Sequence, residues 1–217
     1  MVQGRAVAAG RLHGLTTEIV GEELARGRHS LRRSIVIVPE DPRSLLMYFH
    51  SAGSDGEEGE RLLGSHCARE GVVLVCPTAM SDRWDLRIDR EAGDIAVVQQ
   101  MLGEVSQRLP VLQGHLALAG FGDGASYALS VGLANGDLIK AIIGFSPGFA
   151  RPGEFLGAPS VLLAHGIDDQ ILPVSCSHRI ASVLEARHQP VSLMEYPGGH
   201  LVPAWVAGAA IAWLAAL

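Results

Sequence analysis

Apolar positions in this chain fall into short unbroken runs rather than into strict alternation with polar ones. The runs SIVIVP (34–39), SLLMYFH (44–50), GVVLVCP (71–77), HLALAG (115–120), KAIIGFS (140–146), SVLLAHG (160–166) and VSLMEYP (191–197) are rich in Val, Ile and Leu. Continuous hydrophobicity of this length suits strands covered on both faces, and so a mostly parallel sheet. Between the runs lie segments with helical spacing at about 57–70, 91–108, 123–135, 175–188 and 202–216. Strand and helix in alternation predict an α/β fold, a doubly wound sheet with helices on both faces. The stretch TTEIVGEELARGRHSLRRSIVIVPE is expected to add one or two antiparallel edge strands before the parallel part begins. No linker, repeat or low-complexity tract interrupts the pattern, so residues 1–217 read as one domain. The link from IIGFSPG to SVLLAHG is too short for a large cap.

Composition narrows the function classes. Hydrophobic residues at 48% against 18% charged residues are ample for a packed core and unlike a disordered chain. A net charge of −6, with arginines scattered rather than clustered, argues against a nucleic-acid partner. The opening MVQGRAVAAGRLHG has no apolar core of signal-peptide length, so a cytoplasmic protein is expected. The apolar C-terminal LVPAWVAGAAIAWLAAL contains Pro203, glycine and many alanines, and reads as a helix packed on the sheet rather than a membrane span. Cys67, Cys76 and Cys176 lack paired C-x-x-C spacing and are expected to be buried free thiols, with no metal and no cofactor. A homodimer is left open.

In an open α/β sheet, ligands bind beyond the carboxyl ends of the strands, so the residues after each run carry the chemistry. HLALAGFGDGASYALS reads as strand, sharp turn and helix, the frame in which G-x-S-x-G presents a serine nucleophile. Here the frame is Gly120, Phe121, Gly122, Asp123, Gly124. After LLMYF come His50, Ser51 and Ala52; after VLLA comes the H-G-x-x-D-x-x-x-P pattern from His165 to Pro173; after LMEY comes Pro197-Gly198-Gly199-His200.

Elbow, acid and histidine, each after its own strand and in that order, resemble the α/β-hydrolase superfamily, most closely its small cap-less carboxylesterases and depolymerase-like esterases. The resemblance extends from about Ser44 to the end of the chain. It implies an α/β-hydrolase fold, with His200 as general base, Asp169 as the acid that orients it, and Gly122 at the nucleophile position. Asp168 competes with Asp169 for the acid's role. The resemblance also implies an oxyanion hole made by the backbone amides of Ala52 and Asp123. Two departures stand out: Ser51 occupies the place of the family's glycine after His50, and Gly122 that of its serine. Glycine relieves the strain of a positive φ at the elbow and deletes the hydroxyl.

Asp123 as a substitute nucleophile would shift the frame and put Phe121 where strand and helix need a small residue. Ser126, one helical turn along the same face, reads as a packing residue. Trp84, beside Asp85, resembles a pair near the acyl pocket of small esterases, or else anchors its loop. Met80, Phe149, Phe155 and Leu201 are candidates for an apolar substrate wall. His50 is expected to brace its loop. Three functions stay open: an ester-hydrolase scaffold whose hydrolysis is very weak or absent, a non-hydrolytic enzyme using His200 and Asp169 as a general base for elimination, isomerisation or cyclisation, and a ligand-binding pseudo-enzyme. In each, the partner is a small molecule with an acyl or carbonyl group, and no membrane is involved.

Overall fold

The computed structural model describes Leu12 and residues 22–85, 93–109 and 115–217. Eight strands form one sheet: β1 (Gly27–Leu31), β2 (Ser34–Val38), β3 (Ser44–Phe49), β4 (Val72–Pro77), β5 (Leu116–Phe121), β6 (Ala141–Phe145), β7 (Ser160–Gly166) and β8 (Val191–Tyr196). Their spatial order is β1-β2-β4-β3-β5-β6-β7-β8. β1 and β2 are antiparallel and make one edge, and every strand from β4 onward in that order pairs in parallel. The antiparallel start therefore lies at 27–38; the earlier part of the expected edge region, up to residue 21, lies outside the described residues.

Five helices, α1 (Gly56–Glu70), α2 (Asp94–Arg108), α3 (Asp123–Leu133), α4 (Ser175–Glu185) and α5 (Ala204–Ala215), cover the two faces. Leu63 and Cys67 of α1 and Val206, Ala210 and Ile211 of α5 join one core, whereas α2, α3 and α4 contribute to the other through Val98, Leu102, Leu129 and Ile180. The central strands are buried on both faces, which is why their sequences read as unbroken apolar runs. β8 departs from that reading. It is an edge strand, and Ser192, Leu193 and Glu195 are exposed. α4 ends at Glu185, short of the expected 188, because the chain turns through His188 at φ +57°. The beginning of the second helix expected at 91–92 lies outside the described residues.

The C-terminal apolar segment forms α5, which packs on α1, and no helix among the described residues is long and apolar enough to cross a membrane. Cys67, Cys76 and Cys176 are buried and free, and burial pushes the Cys67 and Cys76 thiols upward in pKa, away from reactivity at neutral pH.

Chain order positions the site. From β3 the chain passes through α1 to β4 on one side, and β5 then returns to the other side of β3 and leads into α3 on the opposite face. Such a reversal opens a crevice at the carboxyl ends of the two central strands. α3 enters this crevice in close contact with β3. A β-carbon on Gly124 would lie 2.0 Å from the Phe49 carbonyl oxygen and 2.4 Å from that of His50. Gly124→Ala is therefore expected to lower stability by about 3 kcal/mol or more, because backbone atoms cannot yield as side chains do. Urea unfolding measures it; an unchanged midpoint would mean that α3 does not press on β3 as described.

Candidate active site

Gly122 stands alone between β5 and α3 with φ +56° and ψ −110°, a combination that side chains rarely tolerate. Its amide donates to Phe145 O of the neighbouring strand at 2.9 Å, which fixes the tip of the turn. A β-carbon built there would lie 3.3 Å from His200 Nε2 and 3.9 Å from Ser51 Cβ. The glycine thus faces the histidine across the width of one side chain.

His200 is held from two sides. Its Nδ1 lies 2.7 Å from Asp169 Oδ2, and its ring stacks on Phe121 with centroids 4.6 Å apart. With the Nδ1 hydrogen donated to the carboxylate, Nε2 of the neutral ring is left as the acceptor facing Gly122. The two loops are laced together. The Ile167 amide donates to Tyr196 O, the Asp168 amide to Gly198 O, and the Tyr196 hydroxyl to Leu201 O.

Asp169 is 4% exposed, whereas Asp168 points to solvent, so the geometry selects Asp169 as the histidine's partner. Burial alone would raise the Asp169 carboxyl, but hydrogen bonds from His200 and from the Leu172 and Ile171 amides outweigh it and hold the group below the ordinary carboxylate range.

Behind Asp169 lies a second, fully buried histidine. His165 Nε2 bonds Leu172 O at 2.7 Å and lies 3.4 Å from Asp169 Oδ2, while Nδ1 meets the Ser177 hydroxyl at 2.7 Å. Burial lowers the pKa of His165 despite the partners that favour its charge. The unfolded chain takes up this proton more readily, so the contribution to stability is full above the ordinary value of 6.5 and erodes as pH falls below it. The melting temperature is expected to decline from about pH 6.5 downward. His165→Gln is expected to flatten that slope and to cost about 1–3 kcal/mol by leaving a buried partner unpaired. Melting curves between about pH 7.5 and 4.5 check both effects, and an unchanged slope would remove His165 as their source.

The loop after β3 is tied down by Glu58, which the sequence did not single out. Glu58 Oε1 accepts from the Ser51 amide and from the Tyr48 hydroxyl, each at 2.8 Å, and Glu58 also accepts the Ser51 hydroxyl. The Gly53 amide donates to Asp82 O. Between these two tied amides, that of Ala52 has no hydrogen-bond partner among the described residues. As the first residue of α3, Asp123 likewise has no carbonyl one turn back within its helix. His50 is buried and bridges the loops, its Nδ1 bonding Ser51 O and its Nε2 accepting from the Ala79 amide. Asp94 accepts from the Met80 and Asp85 amides. A carboxylate on a helix has no sequence signal for such tertiary duty.

The candidate wall residues scatter. Trp84 is only 6% exposed, its indole N–H donates to His50 O, and its ring packs on Phe49 and Tyr127. Of the two readings the sequence leaves open for Trp84, burial and these contacts favour the loop anchor. Phe149 and Phe155 line a cavity of about 190 Å³ against α4 whose lining includes neither Gly122 nor His200, while the Phe149 and Gly148 amides meet Ser126 Oγ behind the elbow. Met80 and Leu201 are exposed, at 60% and 51%, and Leu201 adjoins His200. The Asp123 carboxylate is turned to the Trp84 amide at 3.0 Å, away from a nucleophile's place. Ser126 donates to Gly122 O and receives the Gly148 amide, as a packing residue should.

Residues 92–206 match the sequence profile described as Phospholipase/Carboxylesterase. The chain belongs to this family of α/β-hydrolases. Esterase PE8 is similar at 26% identity, with 82% of this chain and 95% of that one aligned at a TM-score of 0.69. S-formylglutathione hydrolase from Staphylococcus aureus aligns at 16% identity over 84% and 92% of the two chains with a TM-score of 0.71, and shares the fold. So does the Bacillus cereus carboxylesterase, at 16% identity, 83% and 92% coverage, and a TM-score of 0.65. No curated protein gives a significant match. The family assignment spans the elbow, the Asp169 loop and His200, which are the segments brought together in space.

Proposed function

We propose that this chain binds a small or medium ester with an apolar acyl group, its carbonyl oxygen directed to the amides of Ala52 and Asp123 and its carbonyl carbon beside His200. In this reading, Asp169 fixes the ring, His200 is the general base, and Gly122 occupies the place of a serine nucleophile. Hydrolysis through a covalent acyl-enzyme at this position is then absent, because a glycine has no atom to acylate. One observation carries the reading: His200 Nε2, backed by Asp169, lies 3.3 Å from where a β-carbon at Gly122 would be. The exposed Met80 and Leu201 support an apolar substrate. A second reading, a base-catalysed elimination, isomerisation or cyclisation, is favoured by the intact histidine and carboxylate pair in a chain without the hydroxyl.

Covalent labelling tests the first reading. A fluorophosphonate is expected to modify Gly122→Ser with one-to-one stoichiometry, to leave the native chain unmodified, and to fail on Gly122→Ser combined with His200→Ala. A folded Gly122→Ser chain that resists the reagent would overturn it.

A further inference from the structure

We infer that the space between Gly122 and His200 is an acyl-acceptor site, in which a small neutral nucleophile such as water attacks a bound ester directly. The inference rests on the reading above and adds an activity to it. Replacing a hydroxymethyl group by hydrogen frees about the 30 Å³ that one water takes up in the liquid. The space offers a compact nucleophile a hydrogen-bond acceptor. Nε2 of His200 is the open acceptor on one side, since Nδ1 is engaged with Asp169. Ser51 closes another side, its Cβ 3.9 Å from the β-carbon position, so only a compact nucleophile fits. Phe121 against the ring and the laced 167–201 loops keep the base in place, so a nucleophile that is not covalently attached still meets a base of fixed orientation.

The step is balanced within the site. A lone pair of the water oxygen forms the new bond to the acyl carbon, its proton passes to His200 Nε2, and the carbonyl π pair moves onto the carbonyl oxygen. Collapse of that oxyanion breaks the bond to the leaving oxygen, which takes the proton back from Nε2. Acid and alcohol leave, and His200 is again neutral. Hydroxylamine in place of water gives a hydroxamic acid by the same sequence. The substrates suited to such a site are activated esters, whose good leaving group compensates for the missing covalent step.

The test uses p-nitrophenyl acetate and butyrate with the native chain, His200→Ala, His200→Gln and Gly122→Ser, with and without hydroxylamine. The native chain is expected to release p-nitrophenol without a burst, about tenfold or more faster than either His200 variant, since general-base assistance is worth about 10²–10⁴. Hydroxylamine is expected to raise that release and to yield hydroxamate in excess over the His200 variants. The glutamine variant keeps the bulk of the side chain, so its loss of rate reports the base and not the fold. A native rate equal to that of the His200 variants overturns the inference, as does a burst equal to the protein concentration, which would mean acylation of another residue. If Gly122→Ser hydrolyses these esters while the native chain does not, the acceptor site falls and the ester-binding reading stands. If Gly122→Ser is also inert, both fall.

Discussion

Gly122→Ser is expected to raise the hydrolysis of short p-nitrophenyl esters by on the order of 10³-fold or more over the native chain. Where a serine and its base act as a unit, removing the serine costs about 10⁶ in rate, and the part that survives, about 10³–10⁴ over water, comes from binding and the oxyanion donors. In the proposed reading, the native chain stands in the position of that survivor. Introducing a hydroxyl there adds a nucleophile to a base already oriented by Asp169 and Phe121. Two costs reduce the gain. A side chain at φ +56° is strained by on the order of 1–3 kcal/mol, and a β-carbon 3.3 Å from Nε2 requires the imidazole to give by a few tenths of an ångström. The strain acts on stability, so the variant should melt below the native chain while outpacing it as a catalyst. Its kinetics should show a burst of p-nitrophenol equal to the enzyme concentration, the mark of acyl-enzyme accumulation. A folded variant no faster than the native chain would mean that the base and donors do not serve a nucleophile at the elbow.

Much of this arrangement is legible in the sequence because the signals are local. Val-, Ile- and Leu-rich runs mark strands buried on both faces, and the residues just after them are the ones a parallel sheet collects at one edge. Gly122, Asp169 and His200 each follow a strand closely, so naming the strands is nearly enough to name the cluster. Gly120 and Gly124 are legible as close-approach positions for the same reason. The second layer is not. Glu58 braces the Ser51 loop from α1, and Asp94 braces the Met80 loop from α2, through contacts that no local pattern announces. Their places near helix starts look like ordinary dipole complements. Trp84 illustrates the opposite failure, since an aromatic residue in a loop near the site fits a wall or an anchor equally well. Only burial and the bond to His50 O separate the two.

Asp169→Asn, in the Gly122→Ser background, is expected to lower kcat by about 10⁴-fold with little change in KM. The carboxylate contacts no substrate in the proposed arrangement; it acts by setting the imidazole. Oδ1 accepts from the Ile171 and Leu172 amides, each at 2.9 Å, and an asparagine must keep its carbonyl oxygen there to avoid facing two donors with a third. Its amide nitrogen then falls at the Oδ2 position, 2.7 Å from His200 Nδ1. A donor at that place holds Nδ1 as the acceptor and leaves the hydrogen on Nε2, the atom that must take the proton from the introduced serine. The ring stays where it was and presents the wrong tautomer. The native carboxylate avoids this, because its pKa lies below the ordinary value of 3.8, so it stays charged at neutral pH. Asp168→Asn provides the control: that side chain is exposed and outside the pair, so its kcat should stay within a few tenths of a log unit of the parent. An Asp169→Asn chain that kept its kcat within about tenfold, or an Asp168→Asn chain that lost it, would reassign the acid.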